Sequence, residues 1–355
     1  MSPAPHPLRD AYPWTTPNVP VVVSAPMMKI TLGRLAISVS SAGGIGFLAG
    51  GFDLSQLSDN LAEAAEYAKS TNTPLRNGQL PVGVGFLSWG ASLDLALEAL
   101  RKHPVAAVWF FAPRHLSDLL DWAKSIRQTS NNMTKIWVQI GTVAEAVEVA
   151  KTTKPDVLVV QGSDSGGHGL SERASLMTLL PEVLDAFEEE GIEGIPIVAS
   201  GGIIDGRGAA AALTLGADGV CLGTRFLASN EAAISKGYQD EVLRVTDGGV
   251  STVASTIYDK VRGINDWPQT YVGRGVVNRT FLDAVAGMSE EENIALYKEA
   301  MTSGDSAWGP EGRMCTYAGT GIGLVKEVMS AADIVRRVQQ EAVKVLRESA
   351  VKYNS

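Results

Sequence analysis

Eight short apolar runs recur before residue 224, and stretches with helical periodicity follow most of them. The runs are Pro20–Met27, Gly44–Ala49, Leu80–Leu87, Val105–Ala112, Lys135–Ile140, Val157–Gln161, Ile195–Ser200 and Gly219–Gly223. The helical stretches are Leu54–Lys69, Ser92–Lys102, Leu116–Arg127, Val143–Lys151 with Thr142 as N-cap, Leu176–Glu189, Gly206–Leu215 and one near Glu231–Val242. A strand that is apolar without alternation is buried on both faces, which points to a parallel sheet covered by helices. Eight such units predict an α/β fold, a closed (β/α)8 TIM barrel over residues 1–245; an open doubly wound sheet is the alternative. After Val245 the rhythm breaks. Residues 246–320 hold Trp267, Tyr271, Trp308, many glycines and a helix near Ser289–Met301, which reads as a lid or substrate lobe inserted after strand eight. Residues 321–355, with the amphipathic stretch Val325–Ala350, are expected to pack on the barrel flank.

The whole-chain numbers restrict the partners. Net charge is −9 with no basic cluster, so nucleic acid is not an expected partner. Two cysteines, Cys221 and Cys315, have no pairing pattern, which fits a reducing compartment. Met1-Ser-Pro-Ala-Pro-His-Pro-Leu lacks a basic region followed by an apolar core, no apolar run reaches spanning length, and Val351-Lys-Tyr-Asn-Ser is no peroxisomal address. A soluble cytoplasmic protein, monomer or homodimer, with no membrane partner is expected.

Three strand ends carry the chemistry. Gln161-Gly-Ser-Asp-Ser-Gly166-Gly167-His168-Gly169 follows strand six, Ala199-Ser200-Gly201-Gly202-Ile203 follows strand seven, and Leu222-Gly223-Thr224-Arg225-Phe226 follows strand eight. In a barrel the last two loops are neighbours at the C-terminal face, where bare backbone N–H groups and hydroxyls cradle phosphate. His168 stands among glycines at that same face. Flanking glycines offer it no packing partner of their own, so it reads as a general base rather than a structural residue. No His/Cys/Asp/Glu grouping has metal-ligand spacing, and none is assigned. Gly44-Ile-Gly46-Phe-Leu-Ala49 opens a strand instead of ending one, and Gly319-Thr-Gly321-Ile-Gly323 follows no strand, so neither is read as a dinucleotide fingerprint.

With Ser24-Ala25-Pro26-Met27 and Gly43-Gly44-Ile45-Gly46, these motifs resemble the FMN-dependent nitronate monooxygenase family, formerly the 2-nitropropane dioxygenases, in family order from about residue 20 to 325. The Gly-Gly-His core is shared with FMN-dependent enoyl-acyl-carrier-protein reductases. The resemblance implies a TIM barrel with a smaller lobe and non-covalent FMN. Ala25, Pro26 and Met27 would line the flavin ring, Gln139 would make a polar contact to it, and Gly166 and Gly167 would flank it. Ser200, Gly201, Gly202, Gly223 and Thr224 would bind its phosphate, and His168 matches the family's base. Ser163-Asp164-Ser165 departs from the Glu-Ala that many relatives carry there. The implied activity is oxidation of alkyl nitronates, and of nitroalkanes after deprotonation by His168, with O2 to carbonyl compounds and nitrite. Two other readings stay open: an NAD(P)H-dependent FMN reductase of enoyl thioesters or quinones, and a non-redox barrel that binds a phosphorylated metabolite.

Overall fold

The computed structural model describes residues 6–353; Met1–Pro5 and Asn354–Ser355, parts of the terminal sequences discussed above, lie outside the described residues. Eight strands form one parallel sheet: β1 (Val21–Ser24), β2 (Gly46–Gly51), β3 (Leu80–Leu87), β4 (Val105–Phe111), β5 (Lys135–Ile140), β6 (Val157–Gln161), β8 (Ile197–Ser200) and β9 (Gly219–Leu222). Their order is β1-β9-β8-β6-β5-β4-β3-β2. The ends of that order meet. Val23 bridges Ile45, the Ser24 N–H donates to Ile45 O at 3.1 Å, and the Ile45 N–H donates to Val22 O at 2.9 Å. Ser24 Oγ accepts from Phe47 N. The sheet therefore closes into a TIM barrel, and the open doubly wound alternative is excluded.

Alternation along the strands sorts the core in two. Val21, Val23, Phe47, Trp109, Trp137, Val159 and Val198 fill the barrel interior. Val22, Leu48, Val84, Val108, Val138 and Val160 face outward onto the helices. Trp109 and Trp137 stack with centroids 5.7 Å apart, and Phe47 meets both edge-on. Leu8 and Tyr12, from and just after helix Pro7–Ala11, join this interior cluster, and Trp137 Nε1 donates to the Tyr12 hydroxyl at 2.6 Å. Helix Gly33–Ser41, between β1 and β2, escaped the sequence reading. It is short, rich in Ser, and held by a close approach: a Cβ on Gly46 would sit 1.9 Å from Ala36 O. The helix expected near Glu231–Val242 runs instead over Lys236–Arg244, capped by the Ser235 hydroxyl.

The chain after β9 builds a second, three-stranded sheet, β10-β11-β7, from β10 (Thr252–Ser255), β11 (Tyr271–Val276) and β7 (Gly167–Leu170). β7 lies between β6 and helix Leu176–Glu189, where no apolar run marks a strand. It pairs antiparallel with β11, placing His168 opposite Gly273. Helix Ala331–Tyr353 buries Ile334, Val335, Val338 and Ala342, lies against helices Gly206–Thr214 and Gly33–Ser41, and accepts from Gly206 N through Glu341. No described helix is long and apolar enough to cross a membrane.

Tyr12→Phe removes the acceptor of a buried indole N–H without changing volume. An unpaired buried donor costs about 1–3 kcal/mol, so the urea midpoint should fall by that equivalent with an unchanged m value.

Candidate functional site

The C-terminal strand ends open into one cavity of about 900 Å³, and all twelve residues singled out from the sequence line it. The cavity has two chemically distinct sides.

On one side are the ends of β8 and β9. Gly201 and Gly202 adopt φ of 109° and 74°, a region that side chains disfavour. The amides of Gly201, Gly202, Gly223 and Thr224 donate to no protein acceptor among the described residues. They form a row of unsatisfied donors on a cavity wall, the pattern expected of an anion cradle. Thr224 Oγ1 accepts from Gly319 N at 2.9 Å, which leaves its own proton for a ligand. The Gly319-Thr-Gly321-Ile-Gly323 stretch forms a 3-10 turn packed on these loops. A Cβ at Gly319 would lie 2.5 Å from Asp164 O, and one at Gly321 2.6 Å from Ile204 Cγ1, so these glycines serve close packing. The Ser163-Asp164-Ser165 variation is structural: Asp164 O accepts from Thr320 N, and Ser165 Oγ accepts from Arg173 at 2.8 Å.

Ala25, Pro26, Met27 and Gln139 line another part of the cavity. Ala25 N donates to Leu222 O, and Thr31 Oγ1 ties Ala25 O to Met27 N. Pro26 lies on Gly85, where a Cβ would meet it at 2.3 Å. Gln139 Oε1 accepts from Trp109 Nε1 at 3.1 Å, so the Gln139 amide NH2 remains as a donor.

His168 lines the same cavity. Its side chain is 10% exposed. Trp267 stacks on the imidazole at 3.7 Å between centroids and 4° between planes, and Tyr317 flanks it at 5.2 Å. Nε2 lies 3.0 and 2.9 Å from Asp259 Oδ1 and Oδ2. The expectation that glycine neighbours leave this residue without packing is thus corrected: its partners come from the segment after β9. A carboxylate only accepts, so in the neutral ring Nε2 carries the proton and Nδ1, which bonds no described residue, holds the lone pair. Asp259 is itself buried, and Tyr317 donates to Oδ1 at 2.8 Å. Gln161 Nε2 donates to His168 O, fixing the backbone. Gly273 makes the room: a Cβ there would lie 2.7 Å from Tyr317 and 3.2 Å from His168 Nε2. Burial raises the Tyr317 phenol well above its ordinary value, with Cys315 and Asp259 adding to it, so it stays a donor. A fixed imidazole with a free in-plane lone pair can take a proton from a substrate carbon.

A family model described as nitronate monooxygenase matches residues 120–341. The nitronate monooxygenase npaC of Metarhizium robertsii is 47% identical over 344 residues, covering 96% of this chain and 95% of that protein. The chain belongs to the nitronate monooxygenase family. A nitronate monooxygenase of Neurospora crassa is 40% identical over 349 residues, 92% of this chain and 90% of that one. Membership makes the chain an oxidoreductase. Among solved structures, FabK of Thermotoga maritima superposes with TM-score 0.73 at 21% identity, covering 98% of this chain and 99% of that one. A nitroalkane oxidase of Streptomyces ansochromogenes gives 0.71 at 24%, covering 96% and 99%. At these identities the likeness concerns the fold.

Asp259, Trp267 and Tyr317 escaped sequence reasoning as partners of the imidazole. Trp267 was visible as one aromatic of the segment after β9, but nothing in the spacing of these three residues ties them to residue 168. In this member of the nitronate monooxygenase family, 15N NMR of histidine-labelled protein should find the neutral His168 ring as the Nε2–H tautomer. Asp259→Ala should erase that preference; a dominant Nδ1–H form in the unmodified protein would contradict the assignment.

Proposed function

We propose that this chain is an FMN-dependent nitronate monooxygenase that oxidises alkyl nitronates, and nitroalkanes after His168 has deprotonated them, with O2 to carbonyl compounds and nitrite. The observation that carries the reading is the joining, in one cavity, of an amide-lined cradle at the ends of β8 and β9 to an imidazole whose Nδ1 is free. The donor set fits FMN. Gly201, Gly202, Gly223 and Thr224 offer unpaired N–H groups, and Ser200 and Thr224 offer hydroxyls, to a phosphate. Ala25, Pro26 and Met27 offer a wall to a planar ring, and the Gln139 amide a donor to its polar edge. Bound there, FMN supplies the electron transfer between substrate and O2.

The protein's own residues do the rest. Asp259 and Trp267 hold the imidazole in one tautomer and one plane. Nδ1 takes the α-carbon proton of a neutral nitroalkane, whose departure in water is slow. The imidazolium that results is stabilised by the buried Asp259 carboxylate. We take residues 246–320 as the lid: Trp267, Tyr317 and Ile264 line the cavity and keep water from the reacting groups.

Two outcomes follow. His168→Asn should lower kcat/KM for nitroethane by roughly 100-fold or more, while turnover of preformed ethyl nitronate largely survives, because a nitronate has already lost the proton. Equal loss on both substrates with cofactor retained would remove the base from His168. Second, apoprotein should bind FMN on the order of 100-fold more tightly than riboflavin, since charge-assisted bonds to the phosphate are each worth about 1.5–3 kcal/mol; equal affinities by fluorescence titration would rule out the cradle.

A further inference from the structure

The lining of the cavity is out of keeping with the charge of the chain. The chain carries −9, yet the cavity is lined by Lys29, Lys260, Arg262 and Lys298 and by no Asp or Glu. Lys260 is engaged by Glu290 at 3.1 Å, and Lys298 is exposed on the helix Glu290–Ala300. Arg262 differs from both. It ends helix Ile257–Arg262, one turn after Asp259, so the two share a helix face. Among the described residues it has no ion-pair partner and donates to no backbone carbonyl; its neighbour is the Tyr317 ring, 5.3 Å from Cζ to centroid. Three other half-buried or buried arginines bond within the protein. Arg173 bonds Gly162 O and Leu170 O, Arg225 bonds Ala228 O and Glu327 O, and Arg313 bonds Asn293 and Asp283. A half-buried guanidinium beside an aromatic face, on the lining of a cavity without carboxylates, is suited to receive an anion.

Tyr317 links this cation to the base. Its centroid lies 5.2 Å from the imidazole of His168 and 5.3 Å from Arg262 Cζ, and its hydroxyl donates to the Asp259 carboxylate that holds the imidazole. Base and cation thus both stand beside Tyr317 on the lining of one cavity. Both lie with the lobe residues, whereas the amide cradle lies at the ends of β8 and β9, so the two anion sites are supplied by different parts of the chain.

We propose that Arg262 anchors the substrate by a planar oxyanion, using its fork of N–H donors, and so aims the α-carbon at Nδ1 of His168. The inference rests on the nitronate reading above and extends it to the residue that orients the substrate. Nitro, nitronate and carboxylate groups share the O–X–O geometry that a guanidinium fork matches. If the grip is on the nitro oxygens, Arg262 also stabilises the charge that gathers there as the proton leaves. If it is on a second acidic group, Arg262 selects substrates by that group.

The test compares the flavin-loaded wild type with Arg262→Met, Arg262→Gln and Arg262→Lys. Substrates are ethyl nitronate and a nitronate bearing a terminal carboxylate; inert nitrate and propanoate are titrated in parallel by calorimetry. Arg262→Met should raise KM at least tenfold for one or both nitronates and weaken binding of the matching inert anion alike, with partial recovery in Arg262→Lys. Equal loss on both nitronates assigns the grip to the nitro oxygens. Loss confined to the carboxylate-bearing nitronate and to propanoate assigns it to the second acid. Arg262→Gln, neutral and closer in shape, decides in the same way where Arg262→Met does not fold. KM values and anion affinities within twofold of wild type, in a variant that melts normally and keeps its flavin, overturn the proposal. A wild type inert toward both nitronates would instead defeat the nitronate reading, and the anion titrations would still judge Arg262.

Discussion

The site depends on a single antiparallel ladder. β7 leaves the barrel directly after β6 and pairs with β11, which follows the last barrel strand by some fifty residues. That pairing sets His168 against Gly273 and brings Trp267 and Tyr317 to the imidazole. Without it the barrel would still close, but its only rim histidine on a strand would have neither a carboxylate nor a stacking partner. The barrel supplies the glycine-rich strand ends, and the ladder positions the imidazole.

The charge at the centre of this arrangement is consistent with what buried ions require. A carboxylate removed from water is costly unless its oxygens are bonded. Asp259 receives Nε2–H and the Tyr317 hydroxyl, and the same bonds fix the imidazole. Meeting the needs of one buried group thereby orients another.

Much of the barrel was legible because its signal is periodic and local. Continuously apolar strands and amphipathic helices mark themselves, and two glycine-bearing ends at the last two strands mark the row of free amides on the cavity wall once the strands are counted. Helix Gly33–Ser41 was not legible, since small and polar residues tuned to a close approach at Gly46 blur its apolar stripe. β7 was not legible either: Gly-His-Gly-Leu has no strand propensity of its own and is extended because β11 is there to receive it. The partners of His168 lie about ninety to one hundred and fifty residues downstream, at spacings that only the folded chain makes meaningful. In the same way the Gly319–Gly323 stretch, set aside as a fingerprint, packs against the cradle for a reason that lies in Asp164 and Ile204 rather than in its own pattern.

That stretch has a consequence for how the protein is made. Gly319 N–H engages Thr224 at the cradle, and helix Ala331–Tyr353 then covers helix Gly33–Ser41 near the beginning of the chain. During synthesis the earlier strands emerge first and begin to associate, but the rim is finished, and helix Gly33–Ser41 covered, only by segments that follow all eight barrel strands in the chain. Assembly of the complete rim therefore trails the barrel strands in chain order, because Gly319 lies about one hundred residues after Thr224.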